Sequence, residues 1–99
     1  MQLDKNNIIS YLLTNKNNFS KNYHITNIGL FGSYAVNNQT NFSDIDVIVS
    51  FEEDKYTFDN YMNLKFLLED YFGKKIDLII EKSIKKELKQ QILNQAIYV

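Results

Sequence analysis

The chain has no cysteine, no proline and only three glycines in 99 residues. Without cysteine, disulfides, thiolate zinc sites and cysteine nucleophiles are excluded, and a reducing cytoplasm is the expected compartment. Without proline or a Gly/Ser-rich stretch there is no linker, and no segment repeats. Arginine is also missing: all 11 basic residues are lysines. Bidentate recognition of phosphate or guanine is an arginine speciality. With 12 acidic residues and a net charge of −1, the chain does not read as a nucleic-acid binder, and no direct nucleic-acid partner is expected. No apolar run approaches the roughly 18 residues of a membrane span, so no membrane partner is expected. Met1-Gln2-Leu3-Asp4 lacks the basic and apolar stretches of a secretory signal.

What is present suffices for one compact core. The composition is 44% hydrophobic and 14% aromatic, neither apolar-poor nor highly charged. We read residues 1–99 as one domain. Asp4 caps a first helix, with Leu3 stapling to Ile8 and Ile8, Ile9, Leu12 and Leu13 forming its stripe. The polar run Thr14 to Asn18 frays or ends it. Ile25 to Phe31 reads as a strand stopping at Gly32-Ser33, and residues 37–43 are turn-rich. Asp44 to Phe51 is the clearest strand: Ile45, Val47, Val49 and Phe51 face one way, and Asp44, Asp46, Ile48 and Ser50 the other. Thr57 to Phe72 reads as a helix stopped by Gly73, with mostly core aromatics and some left for a partner surface. Lys75 to Glu81 is a third strand. Ser83 caps a last helix with the stripe Ile84, Leu88, Ile92 and Ala96. The expected fold is a small α/β domain, a mixed sheet of about three strands flanked by helices. The helix before the third strand allows a crossover.

Three local features carry chemistry. Asp44-Ile45-Asp46 places two carboxylates on one face, roughly 6.6 Å apart along the strand. They suit a shared divalent cation, and magnesium prefers such oxygen ligands. They equally suit a solvent-facing strand end. Gly29-Leu30-Phe31-Gly32-Ser33 ends a strand and starts a short helix, whose free N–H groups and serine hydroxyl suit a phosphate. The same residues also make an ordinary strand-to-helix turn. Asp77 stands in the apolar strand Lys75-Ile76-Asp77-Leu78-Ile79-Ile80. A carboxylate there is paired, hydrogen-bonded, metal-bound or at an exposed edge. If that strand neighbours Asp44 and Asp46, three carboxylates converge, the set that two-metal phosphoryl transfer uses. His24 has no second histidine or cysteine with which to bind metal. Glu52-Glu53-Asp54 reads as a solvated loop, and Lys82, Lys85, Lys86 and Lys89 as a solvated helix face.

Gly32-Ser33, Asp44-x-Asp46 and Asp77 after an intervening helix together resemble the DNA polymerase beta-type nucleotidyltransferase superfamily. The short helix–strand layout and the tail Leu88 to Val99 are similar to its minimal members, the MNT antitoxins of HEPN–MNT toxin–antitoxin pairs. The resemblance implies that Asp44 and Asp46 bind two Mg2+ ions, with Asp77 completing the site of the ion that activates the acceptor. It implies that Gly32 and Ser33 hold the triphosphate of ATP. The implied reaction is transfer of AMP to a tyrosine hydroxyl of a partner HEPN RNase toxin, with release of pyrophosphate. The alternative is a catalytically weak or inactive antitoxin of the same fold that neutralises its toxin by stoichiometric binding. A chain this short has no acceptor-holding domain, which argues against a small-molecule acceptor and for a protein one. One position departs from the family pattern. Val36 stands where relatives commonly carry a basic residue after Gly-Ser, so Lys74, Lys75, the metal or the partner must meet the triphosphate charge.

Overall fold

A computed structural model describes residues 3–99; Met1 and Gln2, part of the N-terminal reading, lie outside the described residues. The first helix, α1 (Lys5–Thr14), starts as its sequence requires: the Asp4 carboxylate accepts the Asn7 N–H at 2.8 Å. Ile8 and Leu12 are fully buried and Leu3 packs on the same core, whereas Leu13 of the expected stripe is 59% exposed. The polar run does not end helical structure. Asn15 closes α1, its N–H and side-chain amide both donating to the Tyr11 carbonyl, and α2 (Lys16–Tyr23) follows at once. Phe19, fully buried beside Tyr11, is the main anchor of this polar helix, with Tyr23 packed partly buried against the same core. Tyr11 in turn stacks on Tyr71 at 3.7 Å. Tertiary burial of one aromatic here overrides a weak local pattern.

The sheet has four strands in the order β3-β2-β1-β4. β1 (Ile25–Phe31) and β2 (Ile45–Phe51) are antiparallel, joined through the short helix α3 (Gly32–Ala35). β3 (Ile76–Ile80) runs parallel to β2, and the connection between them carries α4 (Phe58–Phe72), the expected crossover. Thr57 caps α4 through its hydroxyl, and Gly73 (φ 65°) closes it in the left-handed conformation that glycine adopts without strain. Leu64, Leu68 and Phe72 form its buried face. Of the aromatics between Tyr56 and Phe72 only Phe72 is buried; Tyr56, Phe58, Phe66 and Tyr71 are half or more exposed, so less of this segment is core than its composition suggests. The Tyr61 hydroxyl, on α4, donates to the Leu78 carbonyl at 2.6 Å, tying the crossover to the edge strand.

The C-terminal region departs from expectation in two ways. Ser83 caps nothing: it ends a single 3-10 turn (Glu81–Ser83), and α5 (Lys86–Gln95) begins after Lys85. The helix also stops before the chain does. Ala96 is extended, and β4 (Ile97–Tyr98) pairs with Gly29 and Leu30 of β1. Gly29 permits this approach, since a Cβ there would lie 2.8 Å from the Ile97 carbonyl oxygen. The fourth strand therefore depends on a glycine nearly 70 positions away, which no local pattern reveals. Among the described residues no helix is long and apolar enough to cross a membrane.

Ile45, Val47 and Val49 of β2 are fully buried in the main core, as their alternation predicts. Ile48, on the face of Asp46, is fully buried too. Apolar burial on both faces makes β2 the rigid centre of the sheet, and Asp46 stands on it.

Candidate active site

Asp46 is the hub. The register pairs it with Phe31 on one side and with Asp77 on the other. Phe31 is followed by Gly32, so the turn from β1 into α3 and the start of β3 flank one carboxylate. Gly32 has φ +74°, and a Cβ built on it would sit 2.1 Å from the Asp46 Oδ2. Both the backbone conformation and the missing side chain are required there. The Gly-Ser motif thus has a structural purpose beyond a turn: it opens the space into which Asp46 projects. Ser33 follows, half-buried, in the first turn of α3.

Asp77 lies on the edge strand, exposed, directly beside Asp46. The two carboxylates interact closely, and the consequence is electrostatic. Asp46 is pushed up to about 6, by burial first, then by the charges of Asp77 and Asp44. Asp44 precedes β2 and is exposed; its Oδ2 lies 3.9 Å from the Lys75 ammonium. The fold therefore brings Asp46 and Asp77 together and turns Asp44 toward a lysine. Among the described residues no three His, Cys, Asp or Glu side chains form a ready metal-ligating group.

The chemistry of the donors nonetheless fits magnesium. They are hard carboxylate oxygens that repel one another, and Asp46 Oδ2 itself occupies the space that a Gly32 side chain would fill. The raised Asp46 also has a measurable consequence. A carboxyl whose folded pKa exceeds its unfolded value of about 3.9 keeps its proton in the fold after the unfolded chain has released it. Folding then loses stability as pH rises from about 4 through about 6. In EDTA, the melting temperature of the wild type is expected to fall across this window relative to Asp46→Asn, which cannot titrate there. Parallel profiles for the two proteins would contradict the close carboxylate pairing.

The lysines offered for triphosphate charge are already engaged. Lys74 Nζ donates to the carbonyls of Asn41 (3.1 Å) and Ser43 (2.9 Å), and Lys75 faces Asp44. Val36 ends α3 half exposed. His24 closes α2 at φ 61°, and its Nδ1 lies 2.7 Å from Glu52 Oε2, drawing one residue of the expected solvated loop into a contact. A cleft of about 560 Å³ opens at the other ends of β2 and β3, between Phe51, Tyr56 and Ile80. Glu52, Glu53, Asp54 and Glu81 rim it against Lys82 alone, a charge balance that repels a triphosphate.

Sequence reasoning did not single out Lys74 as a clamp or Phe42 as an exposed ring. The one available signal was an aromatic inside an otherwise polar turn segment.

The fold agrees with the comparisons to known proteins. Residues 13–99 match the polymerase beta nucleotidyltransferase family. A Methanocaldococcus jannaschii chain assigned as a protein adenylyltransferase is 46% identical over 79 residues, covering 78% of this chain and 79% of that one. The protein adenylyltransferase MntA of Thermococcus cleftensis is 30% identical over 92 residues, covering 93% and 92%. Among solved structures, one assigned as a minimal nucleotidyltransferase superposes with a TM-score of 0.81 at 26% identity, covering 97% of this chain and 96% of the other. A toxin–antitoxin structure with AMP-PNP gives a TM-score of 0.68 at 29% identity, covering 97% and 72%. A Shewanella oneidensis complex of a tri-AMPylated HEPN toxin with an MNT antitoxin gives 0.58 at 26% identity, covering 95% and 66%. With 87 of its 99 residues inside the family match and its glycine turn set against Asp46, the chain belongs to the polymerase beta-type nucleotidyltransferases.

Proposed function

We propose that residues 1–99 act as one domain, a magnesium-dependent protein adenylyltransferase serving as the antitoxin of a HEPN toxin. The observation that carries this reading is the placement of Asp46 between Gly32 and Asp77 on the central strand. The relatives add the substrate and the partner: protein adenylyltransferase names, AMP-PNP in a toxin–antitoxin structure, and an AMPylated HEPN toxin bound to an MNT antitoxin.

In this reading the acceptor tyrosine oxygen attacks the α-phosphorus of ATP. A bond forms from that oxygen to phosphorus, the bond to the bridging oxygen of the β-phosphate breaks, and pyrophosphate departs. Gly32 and Ser33 bind the triphosphate at the start of α3. Asp77, on the opposite flank of Asp46, faces the incoming hydroxyl and takes its proton. Asp44, Asp46 and Asp77 would hold the two magnesium ions, whose chemistry would be to neutralise phosphate charge and to acidify the acceptor hydroxyl. Asp46 has a second task. Rigid in the sheet, it fixes the spacing between the phosphate side and the acceptor side, and such positioning is a large part of phosphoryl-transfer catalysis.

A second reading has specific support. Val36 leaves the end of α3 without a positive charge, and both nearby lysines are engaged. A chain so disposed can neutralise its toxin by occupying it, with no chemistry. Intact-mass spectrometry separates the two. Co-expression with the product of its neighbouring gene is expected to add whole AMP units to that product, and an Asp44→Asn/Asp46→Asn double variant to add none. A stable complex with no added mass from either form would establish the occlusion reading instead.

A further inference from the structure

Phe42 is 94% exposed, the most exposed of the large hydrophobic side chains among the described residues. It is two residues from Asp44, yet it does not hang on a loose loop. Ser43 Oγ accepts the Thr40 N–H at 2.9 Å, Thr40 Oγ1 accepts the Phe42 N–H at 3.2 Å, and Ser43 N–H donates to the Thr40 carbonyl. Lys74 then clamps the carbonyls on both sides of the ring's residue, those of Asn41 and Ser43. Five hydrogen bonds hold a four-residue turn that presents one aromatic ring to solvent. The ring itself enters no core, so the order of the turn serves no packing purpose for it. With the turn backbone already ordered, contact through the ring costs little further backbone freedom, and aromatic rings are effective anchors in protein interfaces.

Its position selects the partner. The strand order puts Gly32 and Ser33 on the β1 side of Asp46 and Asp77 on the β3 side. In phosphoryl transfer the attacking and leaving oxygens lie roughly in line on opposite sides of phosphorus. With the triphosphate on the Gly32–Ser33 side, the acceptor must enter from the β3 side. Lys74, immediately before β3, pins the turn to that side. We propose that Phe42 docks the acceptor protein, inserting into an apolar recess of its surface beside the reactive hydroxyl. The inference rests on the adenylyltransferase reading for its acceptor, and it makes Phe42 a positioning residue rather than a catalytic one.

The test uses the full chain and the HEPN-family product of its neighbouring gene that the adenylyltransferase reading requires, with Phe42→Ala, the conservative Phe42→Leu, and two readouts. These are the dissociation constant of the complex by calorimetry and the kinetics of AMP transfer. Phe42→Ala is expected to weaken the complex and raise KM for the toxin about ten-fold or more. Meanwhile kcat and KM for ATP stay within about two-fold, the signature of lost ground-state binding. Phe42→Leu recovers most of the loss, and neither variant changes the melting temperature. Unchanged toxin affinity and KM would overturn the proposal, as would a rise in KM for ATP, which would assign the ring to the nucleobase. The two readings fail separately. If the wild type transfers AMP and Phe42→Ala matches it, docking fails and transfer stands. If the wild type transfers nothing but Phe42→Ala still weakens the complex ten-fold, docking stands and transfer fails.

Discussion

Asp46→Asn is expected to lower AMP transfer by about 10²–10³-fold, the scale seen when a preorganised electrostatic group is removed at the reacting centre. The substitution keeps the shape of the side chain and removes its charge. The fold should tolerate it well, because the wild-type charge is unfavourable where it stands: burial and the neighbouring Asp77 and Asp44 hold the carboxyl at about 6. At pH 7.5 without metal, Asp46→Asn should therefore be at least as stable as the wild type. Added magnesium separates the two proteins further. A ligand that binds only the folded state stabilises by RT ln(1 + [L]/Kd), about 1.4 kcal/mol at ten times Kd. In a domain of this size that raises the melting temperature by roughly 4–8 °C per kcal/mol. The wild type should show such a rise and the variant should show little of it. Near-normal transfer by Asp46→Asn would remove this carboxylate from the reaction, whatever its neighbours do.

The second large effect is expected at Gly32. Gly32→Ala must place a Cβ 2.1 Å from Asp46 Oδ2 and hold φ at +74°. The strain of that conformation for a residue other than glycine is about 1–3 kcal/mol. The collision with the carboxylate adds to it, so either Asp46 or the start of α3 must shift. A displacement of about 1 Å at a reacting centre can cost about 100-fold in rate. Gly32→Ala should thus lower both the melting temperature and the transfer rate, the latter by about 100-fold or more. Gly73 provides the control. Its φ is +65°, but a Cβ there meets nothing within 4 Å. Gly73→Ala should cost stability through backbone strain and leave transfer unchanged. Equal rates for the two variants would show that Gly32 serves backbone conformation alone and has no part in shaping the Asp46 site.

Much of this arrangement is legible in the amino-acid sequence alone. The alternation of Ile45, Val47 and Val49 with Asp44 and Asp46 announces a strand with carboxylates on one face, because side chains in a strand alternate with a period of two. Gly32-Ser33 after Ile25 to Phe31 announces a strand-to-helix turn, and Asp77 stands out because a carboxylate in an apolar strand needs a partner. Asp4, Thr57 and Gly73 mark helix ends through local hydrogen bonds and backbone preference. All of these signals are local: they depend on neighbours within a few positions.

What the linear pattern leaves open depends on contacts between distant segments. The helix α2 exists because Phe19 finds a pocket beside Tyr11, although its other residues are polar. The strand β4 exists because Gly29 allows the chain end to approach. Ile48 shares the face of Asp46 and is nonetheless buried, since the second face of the sheet is covered as well. The site follows the same division. Residue types alone nominate Asp44, Asp46 and Asp77 as equals. The parallel register of β2 and β3 then sets Asp46 against Asp77, while Asp44 meets Lys75 in an exposed pair at 3.9 Å and still acts on Asp46 through its charge. Register and charge pairing are properties of the assembled sheet, in which residues some thirty positions apart become neighbours, and a sequence read a few residues at a time does not contain them.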